Sequence, residues 1–284
     1  MSEDAHSKAF FDVSHMAGNG PHQPQTQALQ NVFDESAGMD EGGVVYFSPG
    51  TYYTGDVEVG SNTMVFIAPG AVVRGHPDLN SYPTSDAQVL FLFNNAENSG
   101  LAGPGVIDGN GFNIQQLEEA RAGIHLIRFR NSREMYASDV FLRNSVTWTF
   151  YITGCDEVNV DGIRIIGDWG IPNVDGINPD HSRNVSIDNV FVTGSDDSIV
   201  IKTTKRYGMD GPGSNIHARN SVVMTPKTAL KVGTESRDDI SNVLFENIDV
   251  IFLSRGLATW ISIIYGLKKM QMEQSLATTL SLVV

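Results

Sequence analysis

The sequence predicts an all-β chain built as a parallel β-solenoid, a coil whose strands stack turn upon turn. Three observations lead there. Beyond residue 43, short apolar runs follow one another, each bounded by Gly, Asn, Asp or Pro, as in GGVVYFSPG, NTMVFIAPGAVVRG, GIHLIRFRN and DVFLRN. β-Branched and aromatic runs between turn residues read as strands, and many of them without intervening helices mean an all-β architecture. One phrase also repeats along the chain. Finally, 28 glycines and only 18% charged residues argue against long helices.

The elements follow in order. Residues 1–24 are polar with little periodicity. Residues 25–38 place Ala28, Leu29, Val32 and Phe33 on one stripe and end at Gly38, which predicts a short N-terminal capping helix. The repeated phrase is apolar–any–apolar, a polar residue (Asp, Glu or Arg), Gly or Asn, then alternating apolar residues. It reads VNVDGIRIIG from Val158, VSIDNVFVTG from Val185, IHARNSVVMT from Ile216 and VLFENIDVIF from Val243, with a looser copy from Met135. Successive starts are 23, 27, 31 and 27 residues apart. A repeat of this length made of strands and turns is what a solenoid coil needs. Variable length is tolerated because extra residues loop out at corners, and the recurrent Asn suits a turn where amides bond along the stack. A sandwich would require tight Asn-Gly hairpins, of which only GNG at 109–111 is an example. Residues 1–260 are therefore read as one solenoid domain and 261–284 as an atypical tail, a Met/Gln/Leu helix or a disordered segment.

Composition bounds the function. The chain has 284 residues, enough for a sizeable core, and a net charge of -14. That charge disfavours non-specific nucleic-acid binding and anionic membranes. No run of 18 apolar residues exists, and the acidic start MSEDAHSKAF is unlike a signal peptide. The sole cysteine, Cys155, lies among apolar residues and is read as a small core residue.

The densest chemical signal is residues 167–203, which hold Asp168, Asp175, Asp180, Asp188, Asp196 and Asp197. Asp175 lies 21 residues before Asp196, close to one coil, so it should sit on the coil next to the adjacent pair. Clustered carboxylates repel and their proton affinities separate. One protonated acid beside ionised partners is the equipment of glycosidic hydrolysis. Adjacent strand residues face opposite ways, so a bulge or corner is needed at the pair. Structural Asp-rich turns and calcium binding remain the competing readings of the same residues.

Taken together these residues resemble glycoside hydrolase family 28, the polygalacturonase-like right-handed parallel β-helix proteins. FDVSHMAGNGPHQPQTQALQNVFDESAG is similar to that family's opening, GPGVIDGNG to its Gly-x-Ile-Asp-Gly stretch, NVDGINPD to its Asn-Thr-Asp-Gly motif and GSDDSIVIK to its Gly-Asp-Asp-x-Ile segment. The resemblance implies an inverting hydrolase of a pectin-like polysaccharide that needs no cofactor. Asp196 would be the general acid, while Asp175 and Asp197 would hold and activate water. Asp180 has no catalytic place in the pattern and is read as a turn or rim residue. Two departures stand out. Lys227 falls near the place of a Gly-His-Gly loop, with His217 read as a strand residue. At SRGLATWISI, Arg255 is kept but no Arg-x-Lys follows. Lys202, Lys227, Lys231 and Arg255 are the candidate substrate-binding residues. The competing functions are a β-helix lyase and a catalytically inactive glycan-binding β-helix. The expected partner is a polysaccharide or oligosaccharide, with no nucleic acid and no membrane; the resemblance suggests a secreted or periplasmic setting. The text after about residue 258 reads as a truncated or frame-altered ending, which leaves the last coil's edge for the tail, or a second copy, to cover.

Overall fold

A computed structural model describes residues 8–18, 20, 23–83, 88–116 and 123–252, with backbone strands at Gln271–Gln274 and Thr279–Val283. The chain winds as a right-handed parallel β-helix whose strands line up in three ladders, called sheets below, the first two of which are joined through the long strands Gly213–Met224 and Ile240–Phe252. The first sheet holds Thr63–Ile67, Gly100–Ala102, Arg133–Ser138, Asp156–Asp161, Arg183–Asp188 and the first half of Gly213–Met224. The second runs through Ala71–Gly75, Val106–Asp108, Phe141–Arg143, Arg164–Ile166 and Phe191–Thr193. The third runs through Val57–Val59, Val89–Asn94, His125–Arg130, Phe150–Thr153, Ile177–Asp180, Ile199–Thr203 and Leu230–Ser236.

The repeated phrase sets the register. Met135 pairs with Val158, Val158 with Val185, Val185 with Ile216 and Ile216 with Val243, so the five starts form one column of the first sheet. Inward side chains of all three sheets merge into one apolar core, in which Phe93, Phe129 and Phe150 meet edge to face at 4.9 and 5.0 Å. Each fully buried Ile or Phe contributes about 1.5–3 kcal/mol. Cys155 belongs to this core, its thiol pushed up to about 12 by burial.

The polar-then-Asn corner is a ladder. Asn189, Asn220 and Asn247 take left-handed φ near 51°. Asn220 Nδ2 donates to Asp188 Oδ1 at 2.9 Å and Asn247 Nδ2 to Asn220 Oδ1 at 2.8 Å, so the amides bond along the stack. Asn tolerates this φ better than other residues with a Cβ.

The N-terminal end of the solenoid is capped, and the last strand of the first and second sheets is paired in turn. The predicted capping helix is Thr26–Ala37, with Leu29 and Phe33 buried, Val32 half-buried and Ala28 exposed. Its side chains and that of the preceding Gln25 satisfy edge amides of the first coil: Tyr53 N donates to Gln25 Oε1, Gly55 N to Thr26 Oγ1 and Glu58 N to Gln30 Oε1, at 2.7–2.8 Å. At the far end, Thr279–Val283 pairs antiparallel with Ile240–Phe252 and then with Gln271–Gln274. The described parts of the tail are thus strands rather than a helix. An unpaired edge strand is a stronger template than the local preference of a short polar segment.

Candidate active site

The aspartates lie at the corner that leads from the second sheet into the third. Register carries Phe150 to Ile177, Ile199 and Leu230. Two residues earlier in each coil come Trp148, Asp175, Asp197 and Thr228, one column along the stack. The backbone holds it: Gly176 N donates to Asp197 O at 2.9 Å and Ser198 N to Thr228 O at 3.0 Å. Asp175 is therefore in register with Asp197, and Asp196 is the residue before, its N–H on Val174 O at 3.3 Å. The corner required for two adjacent carboxyls is present, since residues 194–198 lie between strands rather than in one. Gly176 lets the coils approach; a Cβ there would stand 2.2 Å from Ser198 O.

The three carboxyls differ in surroundings. Asp175 is 3% exposed and Asp197 4%, whereas Asp196 is partly open to solvent. Burial pushes Asp175 up to about 8; the charges of Asp196 and Asp197 add to this, and Lys202 opposes it. Asp196 is also raised, by burial and the neighbouring Asp197 charge, against the pull of Lys227 and Lys231. Asn178 Nδ2 donates to Asp175 Oδ2 at 3.2 Å. Lys231 Nζ donates to Asp197 Oδ2 at 2.6 Å, and Lys202 Nζ stands 3.8 Å from Asp175 Oδ2. Three of the four candidate cations, Lys202, Lys227 and Lys231, thus face the aspartates; Arg255 lies outside the described residues.

The outer face of the third sheet continues the site. Lys202 Nζ is 4.1 Å above the Trp148 ring and Arg206 Cζ 4.8 Å from it. Trp148 meets His125 and Tyr151 edge on, at 5.4 and 5.1 Å. Burial and the charges of Arg128, Arg206 and Lys202 lower His125 to about 3, so its imidazole is neutral. Sequence reasoning passed over Trp148, His125, Tyr151 and Asn178. Their signal was parity: Trp148 stands in the same column as Asp175, and Tyr151 and Asn178 are the outward residues of strands whose inward residues are core.

Two readings need revision or placing. Asp180 is neither turn nor rim: it ends the strand Ile177–Asp180, fully buried, and accepts from Tyr151 Oη at 2.5 Å, Thr204 N at 2.8 Å and Thr204 Oγ1 at 2.6 Å. A buried carboxylate is retained where such donors surround it. His217 is a strand residue, as expected, paired with Glu246 at 3.2 Å. Among the described residues no three His, Cys, Asp or Glu side chains are arranged to hold a metal ion, and no helix is long and apolar enough to cross a membrane.

The sequence profile described as glycosyl hydrolases family 28 matches residues 64–257, a span that contains every carboxyl of this corner. The chain belongs to this family. It is 26% identical to a probable polygalacturonase of Vitis vinifera, over 89% of this chain and 56% of that protein. It is 24% identical to a probable endo-xylogalacturonan hydrolase A of Aspergillus fumigatus, over 92% of this chain and 65% of that protein. The chain spans about half the length of the first of these. Among solved structures, an exopolygalacturonase of Thermotoga maritima superposes with TM-score 0.72 at 19% identity, covering 85% of this chain and 66% of that one. A polygalacturonase of Erwinia carotovora superposes with TM-score 0.70 at 20% identity, covering 88% and 71%. At these identities the superpositions establish the right-handed β-helix of this family 28 chain and no more.

Proposed function

We propose that the chain is an inverting glycoside hydrolase that cleaves a pectin-like polysaccharide by acid/base catalysis at Asp175, Asp196 and Asp197. The observation that supports it is the single corner at which these three carboxyls meet two lysines, within a family 28 fold. Asp196, partly exposed and with its proton affinity raised, gives its proton to the leaving glycosidic oxygen. Asp197, paired with Lys231, takes a proton from the attacking water. Asp175, which keeps its proton up to about pH 8, donates a hydrogen bond that orients this water. Water attacks from the face opposite the leaving group, so the product's anomeric configuration inverts. Lys202, Lys227 and Lys231, and Arg255, provide cationic partners for uronate carboxylates.

The test is incubation with polygalacturonate and a panel of neutral glycans, following reducing ends, ultraviolet absorbance and the anomeric form of the first product. Reducing ends without absorbance, lost in Asp196→Asn, are expected. Absorbance at the unsaturated product would mean elimination instead. Retained binding without release would make the chain a glycan-binding β-helix.

A further inference from the structure

We propose that His181 is a positioning residue, an imidazolium that staples the two ends of the loop 204–211 and so holds Arg206 at the mouth of the aspartate corner. The role assigned to Arg206 rests on the hydrolase reading above; the staple itself does not. In the preceding coils the corner after the third sheet is made by Asn131 (φ 49°) and Gly154 (φ 65°), residues that accept left-handed backbone. The next coil places His181 there, at φ 47°, with its backbone N–H on Lys202 O just as Gly154 N–H is on Asp180 O. The imidazole is fully buried.

Both ring nitrogens meet backbone carbonyls. Nδ1 is on Gly211 O at 2.5 Å and Nε2 is on Thr204 O. A carbonyl oxygen only accepts, and a neutral imidazole has one N–H and one lone pair. The neutral ring would therefore satisfy one end of the loop and set a lone pair against the other. The protonated ring donates to both. Among the described residues the charged groups set against it are Asp180 Oδ1, on the preceding residue and 3.7 Å from Nε2, and Asp238 Oδ2, 3.7 Å from Nδ1 in the turn before Ile240–Phe252. Both are carboxylates, which is the electrostatic frame a buried imidazolium requires.

The stapled loop reaches the site. Its Tyr207, itself at φ 59°, lies under the Arg128 guanidinium at 3.8 Å. The neighbouring Arg206 pairs with Glu235 at 2.9 Å and lies over the Trp148 ring that also carries Lys202, the partner of Asp175.

Two measurements test this. The first needs no substrate: nitrogen-15 NMR of the His181 ring at pH 6, with amide hydrogen-exchange protection of residues 205–211 in wild type and in His181→Asn. An N–H on both ring nitrogens, and at least a tenfold loss of loop protection in the variant, are expected. A neutral single tautomer, or protection unchanged in the variant, overturns the staple. The second is steady-state kinetics on polygalacturonate. His181→Asn and Arg206→Ala should each raise KM about tenfold, more than they lower kcat, and the double variant should be no worse than either. Additive losses would overturn the coupling of His181 to Arg206. A chain without hydrolytic activity would defeat the functional reading and leave the NMR arm to decide the staple. Should His181→Asn not fold, the wild-type ring spectrum still decides.

Discussion

Replacing Asp175 with Asn should remove a pH dependence of stability that the wild-type chain carries. The Asp175 carboxyl is buried and pushed up to about 8, whereas the unfolded chain leaves it near the ordinary carboxylate value of about 4. Between those limits the folded state binds a proton that the unfolded state has released. Stability therefore falls as pH rises through this window, by about 1.4 kcal/mol for each unit. Four units give at most about 5 kcal/mol, or roughly 10 °C in Tm for a domain of this size. Asn keeps the shape, and its side-chain oxygen can still accept from Asn178 Nδ2, which in the wild type donates to Asp175 Oδ2 at 3.2 Å. The assay is thermal unfolding of both proteins at steps from pH 4 to pH 8. The Asp175→Asn curve should be flat relative to wild type and overtake it toward pH 8, while hydrolysis drops a hundredfold or more. Parallel curves would refute the claim that burial holds a proton on this carboxyl.

Other outcomes follow from the same geometry. Lys231→Met leaves the buried Asp197 without its 2.6 Å partner and should cost about 3 kcal/mol in denaturant unfolding, most of it regained in the Lys231→Met, Asp197→Asn double variant. Gly176→Ala drives a Cβ to 2.2 Å from Ser198 O and should separate the coils at the corner, with about 1–3 kcal/mol lost in stability and at least tenfold in kcat. Asn220→Ala breaks the ladder at a left-handed residue and should lose about 1–2 kcal/mol, Asn220→Gly less because it regains the backbone freedom.

Much of the fold was legible because a solenoid is periodic. A phrase that repeats in sequence repeats in space, so the starts at Met135, Val158, Val185, Ile216 and Val243 gave the strand register directly. The carboxyl corner was legible for the same reason, since one coil's length brings Asp175 beside Asp196 and Asp197. The cationic and aromatic wall was only partly so. Lys202 and Lys231 could be named from the sequence, and Trp148 could have been found from its column, but Arg128 and Tyr207 come from a different coil and a loop, and nothing local distinguishes them from core or surface residues.

The sequence by itself determined the coil, its register and the three carboxyls, because these depend on spacing along one repeating axis. Only the tertiary structure decided which carboxyl is buried with its proton and which is paired with lysine, and that Asp180 is sealed in a hydrogen-bond network. It also decided that His181 faces two carbonyls. Burial, partner and protonation arise from side chains that meet across coils and loops, and no spacing rule fixes those.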